Sequence, residues 1–95
     1  MCMKVVWSKR AARAVAEQIV WYEANRSSSF SETYRRNISS SVDAIAAMPS
    51  IGHFLKEERG RTYRSFVSHP RCTIFYGYDV QKLNIAHLRF SGTRQ

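Results

Sequence analysis

Cysteine is scarce in this 95-residue chain: Cys2 and Cys72 are the only two. Secreted domains of this size usually carry four or more in a disulfide framework. Both thiols are therefore expected to be reduced and without chemistry, Cys2 near a chain end and Cys72 inside an apolar, strand-like run. Long hydrophobic runs are also missing. No stretch approaches the ~18 consecutive apolar residues of a membrane span. Met1–Trp7 is too short for the apolar part of a secretory leader, because Ser8-Lys9-Arg10 follows at once. The cytoplasm is the expected compartment. No His/Cys/Asp/Glu spacing suits zinc, so neither a metal nor any other cofactor is expected. No repeat and no linker divides the sequence, and one domain over residues 1–95 is expected.

Acidic residues are few as well, and this shortage is informative. Seven Asp and Glu stand against fifteen Lys and Arg, a net charge of +8, and arginine outnumbers lysine. Arginine's planar fork suits phosphate and carboxylate groups and keeps its charge when partly buried. A surface of this kind favours a polyanion or an acidic protein partner. The chain is otherwise well supplied for folding, with 44% hydrophobic and 13% aromatic residues, which argues against disorder.

Met3–Trp7 reads as a first strand. Ser8 can cap a helix in which Ala12, Val15, Ala16, Ile19, Val20 and Tyr22 or Glu23 recur at helical spacing. Asn25-Arg26-Ser27-Ser28 breaks that pattern. Ser29 and Glu32 fit a capping box for a second helix, about Phe30 to Met48. There Phe30, Tyr34, Ile38, Val42, Ile45 and Met48 form the apolar stripe, with Arg35, Arg36, Ser39, Ser40 and Asp43 solvated. A short serine-rich turn between two amphipathic helices predicts an antiparallel hairpin. Pro49 ends the second helix, and residues 54–60 read as a charged loop. Three strand-like segments follow: Thr62–Ser68, Cys72–Asp79 and Leu83–Phe90, with a hairpin turn at Asp79–Lys82. The predicted fold class is α+β, a strand, a helical hairpin and a three-stranded antiparallel run, with the helices on one face of the sheet.

The last segment contains a conflict. His87 and Arg89 share a face with Leu83 and Ile85 by strict alternation, while Ala86, Leu88 and Phe90 take the other. Either both faces are partly buried or a bulge switches the register.

The ordered set Trp7, Ala12-Val15-Ile19-Tyr22, Met48-Pro49-Ser50-Ile51-Gly52, Tyr63-Arg64, Ile74-Phe75-Tyr76, Leu83–Leu88 and Thr93-Arg94-Gln95 resembles the RelE/ParE superfamily of type II toxin–antitoxin toxins. The resemblance spans nearly the whole chain. It implies a compact toxin neutralised by a cognate antitoxin that folds an acidic or amphipathic segment over it, as the +8 charge favours. It also implies one of two activities: ribosome-dependent messenger RNA cleavage in one branch, and binding and blocking of DNA gyrase in the other.

RNA cleavage through the ribose 2′-hydroxyl needs positive charge at the phosphorane and a group that moves a proton. The candidates are Arg61, Arg64, His69, Arg71, His87, Arg89 and Arg94. Aligned with the RNase branch on Ile74-Phe75-Tyr76, Arg64 matches a basic position and Arg94 the basic residue after the last strand. Phe66 and Thr73 stand where that branch carries further basic groups, and neither supplies charge. No tyrosine or histidine follows Arg94. The RNase reading therefore rests on Arg64, His87 and Arg94, and the set looks depleted. The gyrase reading is favoured, with Arg61, Arg64, Arg71, His87, Arg89 and Arg94 binding the target. Each has a plainer alternative: Arg64 pairing with Glu57, Glu58 or a helix end, and His87 as an inert histidine at the sheet rim. His53 and His69 are expected to face solvent. A third reading is a non-toxic nucleic-acid-binding module in which Tyr63, Phe66, Phe75, Tyr76 and Tyr78 stack bases. Alternation assigns about half of these to the core.

Overall fold

In the computed structural model, described over residues 3–68 and 72–90, Ser8 converts a short strand directly into a helix. Strand β1 (Lys4–Trp7) ends one residue before α1 (Lys9–Asn25) begins. The Ser8 hydroxyl accepts from the Ala11 amide at 3.0 Å, satisfying one of the donors that every helix start leaves free. Helix α2 (Ser28–Ala47) follows after a two-residue turn. Its cap is Ser27, extended at φ −163°, ψ 164°, whose hydroxyl accepts from Phe30 N. The expected Ser29–Glu32 capping box does not form. With three serines in a row, the one in extended geometry takes the role, and Glu32 pairs instead with Arg35 and Arg36.

The stripe of α2 is as expected at Tyr34, Ile38, Val42 and Ile45, all buried, whereas Met48 is exposed. The stripe of α1 is rotated from the expected one. Ala11, Gln18 and Tyr22 are buried, with Val15 and Ile19 beside them, while Ala12, Ala16 and Val20 face outwards. A polar residue at the centre of the buried face and small alanines around it concealed the phase.

Past Pro49 a single 3-10 turn (Pro49–Ile51) leads into β2 (His53–Glu58), then β3 (Arg61–Ser68), β4 (Cys72–Tyr78) and β5 (Lys82–Phe90). The segment expected to be a charged loop is thus mostly a strand. All six residues of β2 are exposed, so no alternation betrays it. The turn into β3 places Arg59 at φ 55° and Gly60 at φ 76°, the left-handed pair that a tight two-residue hairpin requires. The sheet therefore has five strands in the order β1-β5-β4-β3-β2, with β1 parallel to β5 and the other pairs antiparallel. The β4–β5 turn is held by Asp79, whose carboxylate accepts from Gln81 N and Lys82 N at 2.8 and 3.0 Å.

The conflict in β5 is resolved by a bulge. Tyr76 faces Ile85 but Phe75 faces His87, leaving Ala86 as the extra residue. Leu83, Ile85 and Leu88 all become fully buried, and His87 and Arg89 turn to the opposite face. The bulge is where α1 docks: Ser8 N donates to Ile85 O at 3.0 Å and the Ser8 hydroxyl to Ala86 O at 2.8 Å. The core lies between the helical hairpin and one sheet face, with Tyr22, Tyr34 and Phe30 meeting edge to face. Burial there pushes the Cys72 thiol up to about 12, which keeps it protonated and unreactive.

Candidate functional site

Strand pairing sorts the basic residues by face. Cross-strand partners project to the same side of a sheet and neighbours along a strand to opposite sides. Arg64 pairs with Tyr76, which is buried under the helices; His87 pairs with Phe75. Arg64 and His87 therefore lie on opposite sides of the sheet.

On the covered side, Arg64 belongs to a network that fastens the turn after α2. Tyr76 Oη donates to Pro49 O at 2.6 Å and accepts from Gly52 N at 3.1 Å. Arg64 donates to Gly52 O at 2.9 Å and to the Tyr78 hydroxyl at 3.1 Å, with its guanidinium over the Phe54 ring. Gly52 leaves no room for a side chain. A β-carbon would sit 2.5 Å from Tyr76 Oη and 2.6 Å from Ser65 O. The Pro49-Ser50-Ile51-Gly52 turn is thus clamped by Tyr76 and Arg64, with Tyr78 accepting from the guanidinium. The guanidinium is spent on its own backbone, and Glu57 and Glu58, the acidic partners considered from sequence, do not take it.

On the open side, Arg89 lies over Phe75 at 5.4 Å, and Phe75 stacks on His87 with ring centroids 5.9 Å apart. Lys56 covers the Tyr63 ring on the same side. Arg61 pairs with Asp79 at 3.5 Å, which ties it to the β4–β5 turn. Of the other predicted residues, His53 is exposed at the start of β2, and His69, Arg71 and Arg94 lie outside the described residues.

β1 stops opposite Ile85, so the far half of β5 has no strand on that flank; α1 starts there. A groove of about 400 Å³ results, lined by Lys9, Arg10, Arg13, Ala14, Glu17 and His87. Lys9, Arg10 and Arg13 are exposed, and no ion pair among the described residues includes them. They were absent from the sequence candidates. Lys9–Arg13 is an i, i+4 step that puts both on one helix face, but only the β5 bulge brings His87 to it. The Nδ1 of His87 is buried and has no hydrogen-bond partner among the described residues. Desolvation, then the charges of Arg10 and Arg89, hold its pKa below the ordinary value, so the ring is neutral near pH 7.

A second concavity, about 380 Å³, lies between β1 and the hairpin, lined by Val5, Trp7, Val15, Ile38 and Val42 with Arg35, Ser39 and Asp43 at its rim. It offers an apolar floor with charges of both signs.

No protein-family model matches the sequence, and no curated protein resembles it closely enough to count as a relative. Among solved structures, a chain of the chromosomal ParDE toxin–antitoxin system from P. aeruginosa superposes with a TM-score of 0.74 at 13% identity, over 94% of this chain and 96% of that one. The fold is RelE/ParE-like. At this identity the likeness resides in backbone and topology, and the side chains decide the rest. In this RelE/ParE-like frame the Arg64 network braces the turn at one end of the sheet. The His87–Phe75–Arg89 stack carries accessible charge on the other side, and the α1 groove carries it at the free flank of β5.

Proposed function

We propose that this chain is the toxin of a type II toxin–antitoxin pair, acting in the cytoplasm by binding DNA gyrase and blocking it. The whole-length fold match supports the toxin reading. The observation that carries the choice of activity is the separation of Arg64 from His87. A ribonuclease needs a charge-stabilising group and a proton carrier converging on one scissile phosphate. Here these two lie on opposite faces of a sheet, and Arg64 already donates to Gly52 O and Tyr78. A binding toxin has no such requirement. On this reading His87 and Arg89, with Arg61, Arg71 and Arg94, contact the target, and Arg64 contributes by holding its turn. A cognate antitoxin with an acidic or amphipathic segment would neutralise the toxin, and the apolar groove of Val5, Trp7, Val15, Ile38 and Val42 suits its apolar residues. No helix among the described residues is long and apolar enough to cross a membrane.

Purified protein is expected to inhibit gyrase supercoiling and to leave messenger RNA intact on translating ribosomes. Cleaved RNA together with unimpaired supercoiling would reverse the assignment in favour of a RelE-like endonuclease.

A further inference from the structure

We propose that the outer edge of β2 pairs antiparallel with the same edge of a second copy of this chain, joining two sheets of five strands into one of ten. This goes beyond the proposed function and does not depend on it.

Strand β2 closes the order β1-β5-β4-β3-β2, and no described strand lies beyond it, so one row of its N–H and C=O groups faces outwards. All six of its residues are exposed, and Phe54 and Leu55 leave about half of their surface in water. The strand is also an acidic island on a chain of net charge +8, with Glu57 and Glu58 beside Lys56. An acidic segment is repelled there. A basic partner is attracted, and the chain itself is basic.

Edge strands are commonly guarded against pairing by charges or by a bulge, and β2 carries both. Here the two devices select one register. The bulge at Leu55 leaves Phe54 and Glu57 on the covered side, opposite Arg64 and Thr62. His53, Lys56 and Glu58 lie on the open side, opposite Ser65, Tyr63 and Arg61. A two-fold axis between antiparallel edge strands stands perpendicular to the sheet and keeps like sides together. Pairing β2 with itself over its full length sets His53 opposite Glu58 of the second copy on the open side. On the covered side it sets Phe54 opposite Glu57 of the second copy. In a regular strand each of these pairs would point to opposite sides; the bulge cancels the mismatch.

Each contact is complementary and occurs twice. The His53 imidazole offers an N–H to the Glu58 carboxylate. Glu57 arrives beside the Phe54 ring, over which the Arg64 guanidinium lies. Arg64 donates to neutral acceptors, Gly52 O and the Tyr78 hydroxyl, so its charge has no counter-ion among the described residues. Leu55 of each copy lies beside the axis, against the aliphatic stem of Lys56. A slip of one residue sets Lys56 against Lys56 and leaves Phe54 and Glu58 on opposite sides. Six residues from each copy make a small interface, so the dimer is weak and depends on concentration. It brings both open faces, each with its His87–Phe75–Arg89 stack, to one side of the assembly.

The experiment is sedimentation equilibrium of the full-length protein from micromolar to near-millimolar concentration. A monomer–dimer equilibrium is expected. His53→Glu and Glu58→Lys each set like charges opposite one another twice, and each is expected to weaken the dimer by roughly tenfold or more. An equal mixture of the two variants should recover it, because in the mixed dimer both pairs are again of opposite character. Asp43→Lys makes the same change in net charge as Glu58→Lys but lies on α2, and is expected to leave the dimer near its original strength. A monomer at every concentration would overturn the pairing and leave the edge to a strand of a different protein. A dimer that both β2 variants leave intact, or that the mixture does not recover, would place the contact on another surface. An equal loss in Asp43→Lys would reduce the effect to net charge and also overturn it. Circular dichroism melts confirm that each variant is folded before its association is compared.

Discussion

Two polar side chains with buried atoms show how single residues can be out of balance with their surroundings. Gln18 is fully buried in α1, and neither polar atom of its amide has a partner among the described residues. An amide left unsatisfied in the interior costs about 1–3 kcal/mol. Gln18→Met, similar in length and without the amide, is expected to stabilise the fold by about 1 kcal/mol and raise the melting temperature by about 4–8 °C. A lower melting temperature would show that the amide is satisfied in solution. His87 gives the second case. Its pKa is depressed in the folded chain by desolvation, Arg10 and Arg89, so the unfolded chain takes up the proton first on acidification. The stability associated with the neutral ring is complete above the unfolded value, near 6.5, and is lost as the pH falls through the folded value. Chemical denaturation from pH 7.5 to 5 should therefore show a falling stability that His87→Gln flattens. Asp79 is shifted down by its bonds to Gln81 N and Lys82 N, so its own loss appears only at lower pH, below the usual carboxylate range. A slope unchanged by His87→Gln would remove the depressed histidine from the account.

Elements are joined here by caps more than by long loops. Ser8 starts α1 and also fastens it to the β5 bulge, because its hydroxyl accepts from Ala11 and donates to Ala86 O. Ser27 does only the first of these for α2. Ser29, exposed in the first turn, shares a hydrogen bond with the Ser27 hydroxyl and is not the residue that caps the helix. Alanine substitutions should accordingly rank in cost: Ser8 about 2 kcal/mol, Ser27 about 1 and Ser29 within about 0.5. Urea titrations of the three variants test the order, and a Ser29→Ala cost as large as that of Ser27→Ala would restore the capping box read from the sequence. The edge strand β2 illustrates a different limit. Its residues are exposed on both sides, so its strand character comes from hydrogen bonds to β3 and not from burial. Periodicity registers burial, and a strand without burial leaves no trace in it.

Over the whole molecule, the sheet divides positive charge into a structural and an accessible share. Arg64 is committed to the turn that closes the hairpin onto the sheet, whereas Arg89 is exposed and touches Phe75. Arg64→Ala removes donors from Gly52 O and Tyr78 and is expected to cost about 1–3 kcal/mol of stability. Arg89→Ala should leave stability within about 0.5 kcal/mol while weakening gyrase inhibition. Thermal melts and supercoiling assays on both variants check the division. An Arg89→Ala protein with undiminished inhibition would place the target contact elsewhere, and an Arg64→Ala protein of full stability would free Arg64 for function.

The sequence by itself determined the order of elements apart from β2, the second helix's buried face and the surplus of positive charge. These are local properties: a cap, a repeat of apolar residues every three or four positions, a proline that cannot continue a helix. It also exposed the conflict between Leu83-Ile85 and His87-Arg89 without choosing its resolution. Tertiary structure alone decided that a bulge at Ala86 turns His87 away from the core, that Arg64 ends up on the other side, and that Lys9, Arg10 and Arg13 share a groove with a residue more than seventy positions away. The reason is physical. Which face a β-residue takes depends on register with a neighbouring strand, and a one-residue slip inverts every assignment beyond it.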